Sequence, residues 1–372
     1  MQFIDLKTQF ERIEPDVLAR VEKVIRSQRY IMGPEIEELE QKLADFAGIK
    51  HCLTCGSGTD ALVISLMSIG LEKTDAVFVP AFTFFASGES VTLAGGTPVF
   101  VDSGMDFNIS TTDLERAIEQ TEAEGKLKPR GIIAVDLFGQ TADFDEVQRI
   151  ADEHGLFVLE DAAQGFGATN KGRRAGSFGN IAATSFFPAK PLGCYGDGGA
   201  IFTDDDKLAA LAGSVRVHGQ GKDKYDNVRI GINGRFDTIQ AAVVLAKLEI
   251  FEDEIVERNR VAEMYSERLS EYIQTPQVHD GNVSVWAQYT LVAESEQQKE
   301  AIQSALSEAE IPSANYYPIP MHLSTAYAGL GYHEGDLPVC EKLSKCVFSI
   351  PMHAYLDEPT IDRICNVIKG AI

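Results

Sequence analysis

Between residues 76 and 215 the chain alternates short apolar runs with amphipathic segments, and that alternation is what most restricts its fold. The runs 76–79, 98–101, 131–135 and 156–159 read as strands buried on both faces. The segments 59–69, 112–124, 143–154 and 204–215 carry apolar residues at helical spacing. Strands and helices in this order predict an α/β fold, a mostly parallel sheet with helices on both faces. The alternation stops near residue 237. An amphipathic pattern then runs from 238 to about 272, longer than most globular helices. Strand (284–292) and helix (297–309, 359–368) signals follow. The prediction is a large domain over 1–240, then a bridging helix and a smaller C-terminal α+β domain over 241–372. Two domains suit a chain of 372 residues. Near the start, Pro34 opens a helix with Ile36, Leu39, Leu43 and Phe46 on one face and Gly48 as its C-cap. The first 30 residues read as an arm and a short helix.

Charge excludes some functions. With 33 Lys and Arg against 56 Asp and Glu the net charge is −23, which repels phosphate backbones, so no nucleic-acid partner is expected. The longest uncharged stretch, residues 175–189, is 15 residues long and holds Ser, Asn, Gly and Pro, so no membrane span is expected. The N-terminus is charged early and lacks an apolar signal core, which makes the cytoplasm the expected compartment. The six cysteines read as reduced thiols. Cys52 and Cys55 form a CxxC, but only His51 lies near as a further ligand, so they are expected to be packing thiols and no metal site is expected.

Ligands of open parallel sheets bind beyond the carboxyl ends of the strands, and three segments belong there. Cys55-Gly-Ser-Gly-Thr59-Asp60 is a Gly-rich turn entering a helix, suited to a phosphate. Leu159-Glu-Asp161-Ala-Ala-Gln164 ends a strand in two carboxylates; Asp161 either orients a cofactor or caps a helix. Lys190 sits in Phe186-Phe-Pro-Ala-Lys190-Pro-Leu-Gly193, where partial burial would lower its pKa and make it a nucleophile. The charge pattern points the same way. A 35-residue window should hold about five acids (56 × 35/372), yet residues 162–196 hold none and carry Lys171, Arg173, Arg174 and Lys190. Residues 216–235 hold Arg216, Lys222, Lys224, Arg229 and Arg235 against Asp223 and Asp226. Two cationic windows in so acidic a chain predict a focused anion site, unless they are chance clusters on surface loops.

These residues together resemble the pyridoxal-phosphate sugar aminotransferases of the DegT/DnrJ/EryC1 family, of the PLP-dependent transferase fold type I. The resemblance covers essentially the whole chain. It runs through Phe3-Ile-Asp-Leu-Lys7, Tyr30-Ile-Met-Gly-Pro34, Gly58-Thr-Asp-Ala-Leu62, Pro80-Ala-Phe-Thr-Phe84 and Glu160-Asp-Ala-Ala-Gln164. It is most specific over residues 185–199 and continues at Asn233-Gly-Arg235-Phe-Asp-Thr-Ile-Gln240 and Tyr317-Pro-Ile-Pro320. It implies pyridoxal 5'-phosphate as cofactor and Lys190 as the lysine that carries it. Asp161 would pair with the pyridinium nitrogen, Phe84 would stack on the ring and Gln164 would approach its phenolic oxygen. Gly58, Thr59 and Ser185 would hold the phosphate. Asn233 would reach the phosphate from a neighbouring subunit, which implies a homodimer.

Relatives acting on 4-keto sugars usually carry Thr-Thr-Gly-Glu-Gly-Gly after the lysine. Here Lys190-Pro-Leu-Gly-Cys-Tyr-Gly-Asp-Gly-Gly199 is similar to enzymes of 3-keto sugars, most of all the UDP-2-acetamido-2-deoxy-3-oxo-hexuluronate aminotransferases of bacterial O-antigen synthesis. Those relatives carry an Arg at the position of Arg235, suited to a sugar carboxylate. Gln28, Tyr30, Tyr316 and Tyr317 match substrate-contact positions. Two positions depart from the pattern: Ala189 stands where relatives have Ser, and Tyr316 where they have His. The expected partners are a nucleotide sugar and L-glutamate, with Lys190 as general acid and base. A dehydratase of this fold would carry His in place of Lys190. A non-catalytic regulator would not need the Lys190 and Asp161 pair.

Overall fold

The computed structural model describes residues 1–223 and 225–372. Its helices are α1 (Leu6–Ser27), α2 (Pro34–Ala47), α3 (Gly58–Ile69), α4 (Ala86–Leu93), α5 (Thr111–Glu124), α6 (Phe144–His154), α7 (Asp206–Val215), α8 (Thr238–Leu269), α9 (Glu296–Glu308), α10 (Pro338–Cys346) and α11 (Glu358–Ala371). Its strands are β1 (His51–Cys55), β2 (Asp75–Pro80), β3 (Thr97–Val101), β4 (Lys128–Val135), β5 (Phe157–Asp161), β6 (Thr169–Asn170), β7 (Arg173–Arg174), β8 (Ile181–Ser185), β9 (Gly199–Thr203), β10 (Tyr289–Val292) and β11 (Val347–Ile350).

Seven strands form one sheet in the order β1-β9-β8-β5-β4-β2-β3. β2 pairs in parallel with β3 and β4, β4 with β5, and β5 with β8. β9 runs antiparallel to both its neighbours, so it alone is reversed. Side chains alternate between two buried faces, as period two requires. Val77, Val79, Ile133, Val135, Leu159 and Ile201 pack with α3, α4 and α7. On the other face Ala76, Phe78, Ile132, Ala134 and Val158 pack with α5 and α6, and Ala200 and Phe202 with α2 and α8. Burial on both sides is why these strands read as continuous apolar runs.

α8 joins two cores: Ala241, Val244, Leu245 and Phe251 belong to the sheet's core, while Val261, Ala262, Tyr265 and Leu269 pack with β10, β11, α9 and α11. No helix among the described residues is long and apolar enough to cross a membrane.

Two local readings are corrected. The start of the chain is a 22-residue helix, not an arm with a short one. Pro15 lies inside it and masked it, because a proline removes one backbone hydrogen bond and usually ends a helix. Packing compensates: Ile13 and Val17 bury against Val243 and Ala246 of α8, and Gln9 Nε2 donates to Glu254 Oε2 at 2.9 Å. The strand read over 284–292 is only Tyr289–Val292, since Ser284 Oγ is drawn out of register to the Gly139 carbonyl (2.9 Å).

Candidate active site

The carboxyl ends of β1, β2, β4, β5 and β8 open onto one cavity of about 430 Å³. Ser57, Gly58 and Thr59 enter it after β1, Thr83 and Phe84 after β2, Val135 at the end of β4, Asp161 at the end of β5 and Ser185 at the end of β8. Lys190 and Ala189 come from the loop joining β8 to β9. Gln164, Tyr316 and Tyr317 complete the wall. A larger cleft of about 570 Å³ between β3, α5 and residues 330–337 contains none of the predicted site residues.

Asp161 is 5% exposed. Ser87 of α4 donates to its Oδ2 at 2.8 Å and the Ala163 N–H to its Oδ1 at 3.2 Å. Burial raises its pKa, while these two donors and Lys190 oppose the rise. A turn follows, not a helix, so the helix-cap reading of Asp161 fails. Lys190 is half-buried, and among the described residues its amine has no hydrogen-bond partner. Burial lowers its pKa, with Asp161 opposing, so the neutral amine a nucleophile needs is more accessible than on a surface lysine. Gln164 is pinned between the Phe138 N–H, which donates to its Oε1 at 2.8 Å, and the Tyr317 hydroxyl, which accepts from its Nε2 at 2.8 Å. Phe84 stands at the mouth, 54% exposed, with its ring 6.0 Å from that of Tyr317.

The donor set fits the cofactor implied by the resemblance. Ser57 caps α3 by accepting the Asp60 N–H at 3.0 Å. That leaves the first-turn amides of Gly58 and Thr59 for an anion, at the positive end of the helix dipole. Gly58 is required here, because a Cβ would lie 2.6 Å from the Ser185 Cβ and close the cradle. Asp161 offers a buried carboxylate to a ring N–H, and Lys190 an amine to an aldehyde. Both charge-bearing ends of pyridoxal phosphate thus find complementary groups.

Most of the cationic windows is engaged away from the cavity of this chain. Lys171 pairs with Asp145 at 2.5 Å, Arg174 with Glu252, and Arg173 lies over Phe178. Arg216 is buried against Glu40 at 2.6 Å and Arg229 donates to Ser214. Lys224 lies outside the described residues. Among the described residues of the two windows only Lys190 lines the cavity of this chain; the first-turn amides of α3 and the Thr59 and Ser185 hydroxyls are its other candidate anion donors, at the Gly-rich turn read from the sequence.

Four predicted contacts stand outside the cavity of their own chain. Asn233 is exposed and bridges Val217. The backbone of Gly234 holds Gly56 through a 3.0 Å hydrogen bond, while the Nε of the neighbouring Arg235 is buried without a partner. Gln28 and Tyr30 are exposed beyond the end of α1. Conversely, Ser87, Thr83, Asp197 and Gln288 border Asp161 or the cavity without having been singled out. A signal existed for Asp197: it is the first acid after the acid-free window. None existed for Ser87, which is an ordinary helical serine in sequence. All six cysteines are buried and free, and burial pushes the Cys52 and Cys55 thiols up, as packing thiols require.

Comparison with known proteins gives the family. The model of the DegT/DnrJ/EryC1/StrS aminotransferase family matches residues 11–369. The chain is 46% identical, over 100% of both chains, to the UDP-2-acetamido-2-deoxy-3-oxo-D-glucuronate aminotransferase of Pseudomonas aeruginosa. It is 40% identical to a pleiotropic regulatory protein of Geobacillus stearothermophilus, over 95% of this chain and 94% of that one. The crystal structure of a DegT DnrJ EryC1 StrS aminotransferase from Brucella abortus superposes with a TM-score of 0.96 at 49% identity, covering 100% of this chain and 99% of that one.

Proposed function

The chain belongs to the DegT/DnrJ/EryC1/StrS aminotransferase family, and on that premise we propose that it aminates C3 of UDP-2-acetamido-2-deoxy-3-oxo-hexuluronate, with L-glutamate as donor. It is a pyridoxal-phosphate-dependent nucleotide-sugar aminotransferase; the sugar, the donor and the residue roles are our reading. The observation that carries the reading is the convergence of Lys190, Asp161 and the amino end of α3 on one cavity. Bound pyridoxal phosphate supplies an aldehyde that exchanges with amines and a ring that withdraws electrons when its nitrogen is protonated. Asp161 would offer its negative charge to that nitrogen. The Gly58 and Thr59 amides, with the Thr59 and Ser185 hydroxyls, would hold the phosphate, and Phe84 would stack on the ring. Lys190 would hold the cofactor's aldehyde end and would serve as the general acid and base.

The reading includes a homodimer in the cytoplasm, serving bacterial surface-polysaccharide synthesis. Asn233 and Arg235 would serve the cavity of the second copy, and Gln28 and Tyr30 would contact the same substrate. Their position outside their own cavity supports shared sites. Arg235 would take the C6 carboxylate. Residues 1–240 and 241–372 would be the two domains, with α8 the strut between them.

The test is a half-reaction. Pyridoxamine-loaded protein is mixed with 3-keto and 4-keto nucleotide sugars, and the cofactor spectrum is followed. The 3-keto uronate should return the cofactor to its aldehyde form fastest. Arg235→Ala should lose about 10- to 150-fold in kcat/KM for it. Loss of the uronate carboxyl should cost wild type a similar factor and the mutant little, because one contact is removed only once. Preference for a 4-keto sugar overturns the assignment of C3. A purely regulatory role, the reading that the Geobacillus relative's name brings in, predicts no spectral change with any keto sugar.

A further inference from the structure

Three carboxyl groups meet at the ends of β4 and β5. Asp136 and Glu160 are fully buried and Asp161 is 5% exposed. Three ionised carboxylates in so dry a place would repel strongly. Asp161 and Glu160 are consecutive on a strand, so their side chains leave on opposite faces. Asp161 lines the cavity. Glu160 faces the turn after β7, where Oε1 accepts the Gly176 N–H at 2.7 Å and Oε2 the Phe178 N–H at 2.8 Å. The positive charge of Arg173 also favours the ionised form of Glu160.

Asp136 follows β4. Its N–H donates to the Asp161 carbonyl at 3.0 Å and its Oδ1 accepts the Ala142 N–H at 3.1 Å. Its Oδ2 is buried and, among the described residues, receives no donor, yet Asp136 follows the stretch of β4 that pairs with Glu160 of β5 (Ala134 opposite Glu160), and each carboxyl bears on the other's ionisation. Gly165 makes room for it, since a Cβ there would lie 2.6 Å from that oxygen. A buried oxygen with no donor, beside a carboxylate already accepting two amides, is accounted for if the oxygen itself carries the hydrogen.

We infer that Asp136 is a neutral acid whose Oδ2–H donates to ionised Glu160, and that this pair is a positioning device fixing the ends of β4 and β5 behind Asp161. Burial pushes both groups up; at Glu160 the two amides and Asp136 oppose the rise, whereas at Asp136 the negative charges of Glu160 and Asp161 add to it, so the proton belongs on Asp136. The pair then carries one negative charge instead of two, so Asp161 meets less repulsion. It also anchors residues 136–142, whose Phe138 N–H holds Gln164. The protonation assignment stands on the fold; its consequence for the cofactor rests on the reading of Asp161 given above.

The two partners should respond differently to amides. In Asp136→Asn the amide keeps an acceptor toward Ala142 and a donor toward Glu160. In Glu160→Gln an NH₂ group must face the N–H of Gly176 or Phe178. The experiment is an isotope-edited infrared comparison of ¹³C-aspartate-labelled wild type and Asp136→Asn as apo-proteins at neutral pH, with thermal midpoints and cofactor titrations alongside. Wild type should show a protonated carboxyl stretch that Asp136→Asn lacks. Asp136→Asn should fold and bind cofactor within about threefold of wild type, whereas Glu160→Gln should lose about tenfold or fold poorly. The proposal is overturned if the difference band is missing, if Asp136→Asn fails to fold or binds as poorly as Glu160→Gln, or if Glu160→Gln matches wild type. Should Asp161→Asn bind cofactor and turn over normally, the role given to Asp161 falls, while the infrared result still decides the pair.

Discussion

Ser87 shows how one hydroxyl governs the chemistry of a buried carboxylate. Its hydrogen bond to Asp161 opposes the rise in pKa that burial imposes. Ser87→Ala should therefore raise the Asp161 pKa and weaken cofactor binding by about tenfold or more, as expected for a lost hydrogen bond to a charged group. The acid limb of the activity profile should move to higher pH while the thermal midpoint changes little. An unchanged pH profile would reduce Ser87 to packing. Ala189 lies in the cavity wall, so Ala189→Ser should add a polar contact to the substrate and lower KM without altering the glutamate half-reaction. Equal changes in both half-reactions would assign the effect to the Lys190 loop itself. Lys190 and Asp161 were legible in sequence because their surroundings are unusual: a lysine among apolar residues and a carboxylate at a strand end.

At the scale of elements, the amino end of α3 opens onto the cavity and is the proposed anion site. Its approach to β8 depends on Gly58, where any Cβ meets the backbone-proximal Cβ of Ser185, not the far end of a flexible side chain. Gly58→Ala should push α3 off β8, costing about 1–3 kcal/mol of stability and at least about tenfold in cofactor affinity. Thermal melts with a cofactor titration check this, and wild-type affinity in the variant would remove α3 from the phosphate site. Strands β2, β3, β4 and β5 and helices α2, α3, α5, α6, α7 and α8 were readable because each buries a regular apolar pattern; β1 and β9 were not read as strands. α1 was not readable, because Pro15 interrupts its pattern and only the surface of α8 restores the balance. The antiparallel direction of β9 was likewise hidden, since a strand buried on both faces has the same composition in either direction.

For the whole molecule, α8 fastens the sheet to the C-terminal core, and buried polar groups line its course. His353 is one of them. It is 6% exposed, and its Nδ1 accepts the Tyr355 N–H at 3.3 Å. Burial, aided by Arg258 and opposed by Asp5, lowers its pKa from 6.5 to about 4. The unfolded chain thus takes up this proton first as pH falls. The contribution of neutral His353 is intact above about 6.5 and is lost progressively down to about 4, up to about 3 kcal/mol in all. Thermal midpoints between pH 7 and 4 should fall more steeply for wild type than for His353→Gln. Parallel curves would show that His353 is already protonated in the fold or plays no part.

Sequence alone determined the α/β class and singled out Lys190 and Asp161, which the fold brings into one cavity at the strand ends, because periodicity and strand ends are local properties of the chain. Tertiary structure decided the rest. Which face Glu160 takes, that Asp136 lies against it, that Ser87 reaches Asp161 from 74 residues away, and that Arg216 is spent on Glu40 all depend on pairings between segments far apart in the chain. Local pattern fixes which residues are buried and at what spacing; only the packed sheet brings their polar atoms within hydrogen-bonding distance.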